Sequence, residues 1–197
     1  MTEPTVVNLE ESDRSWALAT LTLAFASDPV MRWLWAAPHR YATLWPRFAE
    51  GFGGPAIGHG TAHGLADGRG AALWLPPGSG PNTVALGTLM AETLDERTLK
   101  EVGALFEQMD RWHPSVDHWY LALVGVDPIL QGRGLGSTLL RHGLTTCDRD
   151  RLPAYLEASS PRSRDLYERL GFEVVGMLQA GSSPPLWAML REPELET

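Results

Sequence analysis

A glycine-rich turn at residues 131–136, QGRGLG, stands between an apolar run and a segment with helical periodicity. Glycines 132, 134 and 136 leave backbone N–H groups uncovered, so that a ligand can approach the main chain closely. The N-terminus of the following helix adds roughly half a positive charge. The turn therefore predicts an anion site, with a phosphate or pyrophosphate as the natural ligand. Arg133 can add a charge-assisted contact.

The spacing of the glycines distinguishes between known phosphate-binding loops. A dinucleotide fingerprint requires G-x-G-x-x-G, whereas the glycines here follow G-x-G-x-G. A nucleoside triphosphate loop requires G-x-x-x-x-G-K-[ST], and residues 124–144 contain no lysine. A turn without a ligand stays open as an alternative at this point.

The elements that must position this turn alternate along the chain. Apolar or alternating runs predict strands at 5–10, 60–66, 70–76, 117–128, 153–159, 172–178 and 184–192. Capping residues and apolar periodicity predict helices within 11–29, 28–54, 82–112, 131–150 and 161–171, with a break at Pro38 in the second of these segments. The second half thus has the order β–α–β–α–β–β, which predicts an α/β or α+β fold around one mixed sheet.

Composition narrows the class of protein. A net charge of −8 and a pI of about 5.2 argue against a general nucleic-acid binder. The single cysteine, Cys147, excludes a disulfide within one chain and a cysteine-based zinc site. His59 and His63 are four residues apart, but the surrounding glycines argue against a shared helix, and no metal site is predicted. Without a signal peptide or a bilayer-length apolar run, a cytoplasmic protein is expected.

Two motifs resemble those of the GNAT acetyltransferase superfamily. QGRGLG at 131–136, with the strand LALVGV before it and STLL after it, resembles the acyl-coenzyme A pyrophosphate loop, Q/R-x-x-G-x-G/A. LYERLGFEVVG at 166–176 resembles the C-terminal motif, in which a helix carries a tyrosine and ends at Gly-Phe. The motifs stand in the family's order, about 30 residues apart, and the resemblance covers residues 118 to about 190.

This resemblance implies a fold and an activity. The fold is α/β (α+β), with one central, mixed, mostly antiparallel sheet of six to seven strands, splayed in the middle and flanked by helices. A single domain over 1–197 would combine an acceptor-side half, 1–115, with an acyl-coenzyme A-binding half, 116–197. The implied activity is direct transfer of an acetyl group from acetyl-coenzyme A to a primary amine of a small molecule, in a ternary complex.

Alternatives to this activity remain open at the level of sequence. The chain could acetylate a protein lysine or N-terminus, or bind acyl-coenzyme A as a non-catalytic sensor. No nucleic-acid or membrane partner is expected. A homodimer is open as an alternative to a monomer.

The resemblance also assigns cofactor contacts. The strand before the turn would pair its backbone with the pantetheine arm as an extra strand does, through Val124 and Val126. The pyrophosphate would be held by the turn and its flank, namely by Gln131, Gly132, Arg133, Gly134, Leu135, Gly136 and Ser137. Ser163 stands where the family often has an asparagine that contacts pantetheine. Gly125 fits the irregularity that the family shows in this strand.

Tyr167 matches the family tyrosine beside the thioester sulfur, where a phenol can protonate the leaving thiolate. The general base is open, because the position near which many family members carry a carboxylate is Tyr120 here. Glu157 on the next strand is the leading candidate, with His118 and Asp117 as alternatives.

The acceptor is expected to meet the first half of the chain. Aromatic side chains that could line its pocket, or equally belong to the core, are Trp16, Trp33, Trp35, Trp45, Phe48, Phe52 and Trp74. Asp28, His39 and Glu50 are polar candidates for the same pocket.

Overall fold

A computed structural model describes residues 4–194, so the ends of the predicted domain, 1–3 and 195–197, lie outside the described residues. The strands are β1 (Val6–Asn8), β2 (Ala62–Leu65), β3 (Gly70–Leu75), β4 (Trp119–Val126), β5 (Ala154–Ala158), β6 (Glu173–Leu178) and β7 (Leu186–Arg191). The α-helices are α1 (Arg14–Ala24), α2 (Pro29–Leu34), α3 (Pro38–Phe52), α4 (Pro55–Gly58), α5 (Thr83–Thr93), α6 (Glu96–Trp112), α7 (Leu135–Asp150) and α8 (Pro161–Glu168).

Prolines start several of these helices. Pro29, Pro38, Pro55 and Pro161 each occupy the first helical position, where a missing N–H leaves no hydrogen bond unmade. The predicted strands and longer helices all occur, while the short helix α4 is an addition within the glycine-rich segment. Within residues 4–194, none of the helices combines the length and apolar character that crossing a bilayer requires.

The strands form one seven-stranded sheet in the order β1-β2-β3-β4-β5-β7-β6. Neighbouring strands are antiparallel except for β4 and β5, which are parallel. A parallel pair needs a crossover connection, and helix α7 provides it. The prediction of a mixed, mostly antiparallel sheet flanked by helices is confirmed.

The sheet parts between β4 and β5. These strands pair only at Trp119 with Ala154 and at Tyr120 with Tyr155. Beyond this point β4 stays paired with β3, and β5 stays paired with β7. Each strand thus keeps one neighbour while the gap between them widens, which confirms the predicted splay.

Each face of the sheet carries its own hydrophobic core. Alternate residues of β3 divide between the two, with Ala71, Leu73 and Leu75 in one core and Ala72 and Trp74 in the other. Helices α1, α3, α5 and α6 cover the first core, and α7 and α8 cover the second. The parting of the strands therefore opens between two packed layers of helices.

The irregularity in β4 lies at Ala122, whereas the sequence suggested Gly125. Leu73 pairs with Leu123 but Trp74 pairs with Leu121, so Ala122 is an extra residue without a partner on β3. Leu121 and Leu123 consequently belong to opposite cores, although they are two residues apart.

Gly125 has a different role, which is to admit helix α1. A Cβ atom at Gly125 would lie 2.5 Å from Cβ of Ala24 and 3.0 Å from Cδ2 of Leu21. Such distances are well inside van der Waals contact, so any side chain here would push α1 away from β4. The end of α1 and the strand are thereby held close together at the edge of the gap.

We expect Gly125→Ala to lower the free energy of unfolding by about 1–3 kcal/mol, because the added methyl group overpacks the contact between α1 and β4. Gly103→Ala is the matched control. This glycine lies on an exposed part of α6 with open space around it, so alanine should raise the free energy of unfolding by about 0.5–1 kcal/mol. Urea denaturation measures both changes, and a Gly125→Ala variant as stable as the wild type would contradict this packing.

Candidate active site

The gap between β4 and β5 opens into a cleft with about 1550 Å³ of empty space, which we call the splay cleft. Nine of the ten predicted cofactor-binding residues line it, namely Val124, Val126, Gln131, Gly132, Gly134, Leu135, Gly136, Ser137 and Ser163. The opposite wall comes from the end of α1 and the segment before α2, including Ala24, Phe25 and Ser27. Both halves of the chain therefore build the splay cleft.

The glycine-rich turn has the geometry of an anion cradle. Gly132 and Gly134 have φ values of 80° and 83°, a left-handed conformation that side chains rarely adopt. A Cβ atom at either position would meet no other atom within 4 Å, so the amides beside them are sterically open. Gly134 is the N-cap of α7, and the side chain of Gln131 donates from Nε2 to the carbonyl oxygen of Val126 at 3.3 Å.

Two predicted cofactor residues differ from the simple expectation. Arg133 is exposed and does not line the splay cleft, so its side chain would have to turn inward to contact a ligand. Ser163 lines the splay cleft, but its hydroxyl accepts from the backbone N–H of Ser160 at 3.2 Å in the cap of α8. Two cations that the sequence did not single out, Arg162 and Arg169, line the cleft instead.

A second space, which we call the acceptor cavity, lies on the α3 and α6 side of the sheet and has about 830 Å³ of empty volume. Its polar lining side chains are Asp28, Glu157, Ser159 and Tyr167, and the other lining residues are apolar. Asp28, Ser159 and Tyr167 also line the splay cleft. The two spaces therefore meet where β4 and β5 part.

Glu157 is a half-buried carboxylate in the wall of the acceptor cavity, two residues before Ser159. Tyr120 donates its hydroxyl to Oε2 of Glu157 at 2.7 Å. The other oxygen, Oε1, is buried and has no hydrogen-bond partner among the described residues. Burial raises the pKa of Glu157 from 4.5 to about 7, although the hydrogen bond from Tyr120 acts in the opposite direction.

The surroundings of Glu157 contain aromatic rings, and within the described part of the chain no nearby cation lowers its pKa. The rings of Tyr120 and Tyr155 lie 5.9 Å apart, and the ring of His113 lies 5.0 Å and 4.8 Å from them. Burial lowers the pKa of His113 to about 4, so this imidazole is neutral at neutral pH. The carboxylate therefore has an acid–base equilibrium centred near neutral pH.

Tyr167 is a buried phenol on α8 that lines both spaces. The sequence positions it through the cap of α8 at Ser160 and through the packing of its ring against Phe172, with centroids 5.8 Å apart. Burial raises the pKa of Tyr167, and the negative charge of Asp28 raises it further. The phenol is thus protonated at neutral pH and can donate a proton.

Asp28 connects the helical layer to the sheet at the same place. Its Oδ1 accepts from the backbone N–H groups of Val30 and Met31 at 3.0 Å each, and its Oδ2 accepts from the hydroxyl of Ser159. Burial raises its pKa despite these bonds. The Asp-Pro pair signals an N-cap in the sequence, but no local pattern indicates the partner 131 residues away.

The remaining candidates divide between the cavity and the core. Trp33, Phe48 and Phe52 line the acceptor cavity. Trp16, Trp35, Trp45 and Trp74 pack in or against the cores. His118 and Asp117 directly precede β4 and do not line the acceptor cavity. His39 and Glu50, on α3, do not line it either. Two aromatic lining residues, Phe25 and Phe106, were not picked out from the sequence.

Comparisons with known proteins agree with this geometry. The family model described as "Acetyltransferase (GNAT) family" matches residues 82–172. A mycothiol acetyltransferase of Beutenbergia cavernae is 37% identical over 78 residues, which are 38% of this chain and 26% of that protein. The match therefore spans only about a quarter of that relative's length.

Solved structures extend the similarity over the whole fold. A crystal structure of "histone acetyltransferase HPA2 and related acetyltransferase" from Corynebacterium glutamicum is similar with a TM-score of 0.71 and 26% identity, covering 100% of this chain and 99% of that one. Arylalkylamine N-acetyltransferase 2 of Aedes aegypti has a TM-score of 0.66 at 15% identity, covering 98% and 100%, and shows the shared fold. The family model matches just under half of the chain, and the structural neighbours show that the chain shares the fold of these acetyltransferases over its whole length.

Proposed function

We propose that the protein transfers the acetyl group of acetyl-coenzyme A to a primary amine of a small molecule. The observation that carries this proposal is the meeting of the two spaces at Tyr167, with Glu157 in the wall of the acceptor cavity. The splay cleft fits the cofactor, because it offers the unpaired edge of β4 beside open amides at Gly132 and Gly134. The acceptor cavity would admit the amine from the other side.

In this proposal Glu157 is the general base. An aliphatic amine has a pKa of about 10 and must lose a proton to attack a carbonyl carbon. A carboxylate with a pKa of about 7 is better matched to that proton than an ordinary carboxylate, and it is ionised in a useful fraction at neutral pH. The ammonium group first releases one proton to solvent, and the neutral amine then passes a second proton to Glu157 as its nitrogen bonds to the acetyl carbon.

Tyr167 is the general acid in the same proposal. The bond between the acetyl carbon and sulfur breaks, and the leaving thiolate takes the proton of the phenol. The raised pKa of Tyr167 keeps the phenol protonated at neutral pH, so that it can donate to the sulfur as negative charge develops there during cleavage of the bond. The products are the amide and the free thiol, and the site is restored when Glu157 releases its proton to solvent and Tyr167 takes one up.

Three observations favour a small amine over a protein side chain as acceptor. The acceptor cavity has a largely apolar lining that includes side chains of α3, α5 and α6, whereas a protein substrate would favour a wide, acidic groove. The neighbours include an enzyme that acts on arylalkylamines. In addition, residues 118–137 and 153–172 resemble the corresponding stretches of puromycin N-acetyltransferase, so puromycin belongs among the amines to be tested.

The proposed activity is tested by thiol release from acetyl-coenzyme A across a panel of small amines that includes puromycin. We expect acetyl-coenzyme A to bind at submillimolar concentration in isothermal titration and at least one amine to release free thiol. Binding without release for any amine would favour the sensor alternative. No binding at millimolar acetyl-coenzyme A would remove the proposal altogether.

We expect Tyr167→Phe to lower kcat by about 100-fold or more, because the thiolate then leaves without a general acid. The Kd for acetyl-coenzyme A should change by less than about threefold, since the ring and its packing are kept. Tyr41→Phe is the control, because it removes a buried phenol that donates to the carbonyl oxygen of Thr22 at 2.6 Å, outside both spaces. Equal kcat in the two variants would refute the acid role of Tyr167.

We expect kcat to rise with pH through about 7, as Glu157 loses its proton, and Glu157→Gln to lose this dependence along with at least about 100-fold in kcat. The same loss of a proton that raises kcat lowers the free energy of unfolding. The raised pKa means that the folded chain holds this proton more tightly than the unfolded chain. The stabilising contribution is therefore fully present below pH 4.5 and is lost as pH rises through about 7.

Glutamine mimics the protonated acid at every pH. The free energy of unfolding of Glu157→Gln should accordingly match the wild type near pH 4 and exceed it by about 1–3 kcal/mol at pH 8. Glu107→Gln, which alters a carboxylate with 74% of its side chain exposed, should change neither kcat nor this difference. A wild-type pH profile for Glu157→Gln would direct attention to His118 or Asp117.

A further inference from the structure

The acceptor cavity has two chemically different sides. Helices α3, α5 and α6 contribute only apolar side chains to its wall, among them Phe48, Met90 and Phe106. The polar groups come instead from the start of α2, from β5 and its C-terminal end, and from α8. Most of them also line the splay cleft. A molecule in the cavity would therefore meet polar groups at the acetyl-transfer point and hydrocarbon along the helices.

We infer that the acceptor is a primary amine with a single positive charge on an apolar alkyl or aryl body, rather than a diamine, polyamine or guanidino amine. The inference rests on the proposed function and specifies its substrate class. Its basis is the distribution of carboxylates around the acceptor cavity.

The carboxylates of the cavity are already engaged near the transfer point. Asp28 accepts two backbone N–H groups and the hydroxyl of Ser159. Glu157 accepts from Tyr120 and is the group that would receive the proton of the reacting nitrogen. The acidic residues next in sequence to the α6 wall, Glu101, Glu107 and Asp110, do not line the cavity. A second ammonium group on the acceptor would consequently lie against hydrocarbon without a counter-charge.

A second charge on the acceptor should weaken its binding, whereas a longer apolar body should strengthen it. Removing an unpaired ammonium group from water is strongly unfavourable, because the lost hydration is not replaced. Each buried methylene group favours binding by about threefold to fourfold. The cavity should therefore reward a longer alkyl body and exclude the same body when it carries a charge at its far end.

Hexylamine and 1,6-diaminohexane form a matched pair for the test, since they share length and reacting group and differ in one terminal charge. We expect kcat/KM for hexylamine, measured by thiol release from acetyl-coenzyme A at pH 8, to exceed that for the diamine by at least about 30-fold. The diamine should be the weaker acceptor even though it offers two reacting groups. From butylamine to hexylamine, kcat/KM should rise by about threefold per methylene group.

The outcomes separate this inference from the proposed function. Equal or better turnover of 1,6-diaminohexane overturns the inference and leaves N-acetyl transfer intact. Absence of thiol release with every amine, including this pair, overturns both. A clear preference for hexylamine that grows with chain length supports both.

A pair of variants tests whether the apolar wall is the cause. Phe106→Glu adds a carboxylate to the α6 side of the cavity, and Phe106→Gln adds a neutral group of the same shape. We expect the ratio of kcat/KM for hexylamine over the diamine to be at least about tenfold lower in Phe106→Glu than in Phe106→Gln. Because the comparison is a ratio within each variant, partial loss of folded protein cancels. The same ratio in both variants would overturn the assignment of selectivity to this wall.

Discussion

The parting of β4 and β5 after their second residue pair is the constraint from which the site follows. It is compatible with a stable sheet because each strand keeps its other neighbour, β3 for β4 and β7 for β5. One edge of β4 is thereby left without a partner strand while its other edge remains held. Helix α1 packs closely against one face of β4 at Gly125 and helps to hold the strand in place. A stretch of strand with free hydrogen-bonding groups can thus exist inside a folded domain without becoming a flexible loop.

The same constraint determines where a carboxylate can act. Tyr120 and Tyr155 form the last pair before the gap, and Glu157 follows two residues later on the same face of β5. The sequence looked anomalous because a tyrosine occupies the usual place of the carboxylate on β4. In the structure the phenol of Tyr120 donates to Glu157, so in the proposed reaction the acidic group would come from the neighbouring strand.

Local sequence signals predicted the parts of the site that depend on local geometry. The glycine-rich turn and the start of α7 follow from patterns within a few residues, whereas Tyr167 is assigned through the resemblance of LYERLGFEVVG to a family motif. The pairing of Asp28 with Ser159 and the inward position of Arg169 depend on tertiary packing, which no short pattern records. The shift of the strand irregularity from Gly125 to Ala122 has a similar cause. A glycine within a strand is typical both of a bulge and of the close approach of another backbone. Only the packing against α1 shows which of the two applies to Gly125.

Hydrogen bonding explains why two neighbouring carboxylates would take different roles. Burial raises the pKa of both Asp28 and Glu157. Asp28 accepts from three donors, which hold its two oxygens and tie α2 to the end of β5. Glu157 accepts from one donor at Oε2, and its buried Oε1 has no partner among the described residues. In the proposed reaction an incoming N–H would have to displace a hydrogen bond at Asp28, whereas at Oε1 of Glu157 it would fill an acceptor position that the described residues leave open.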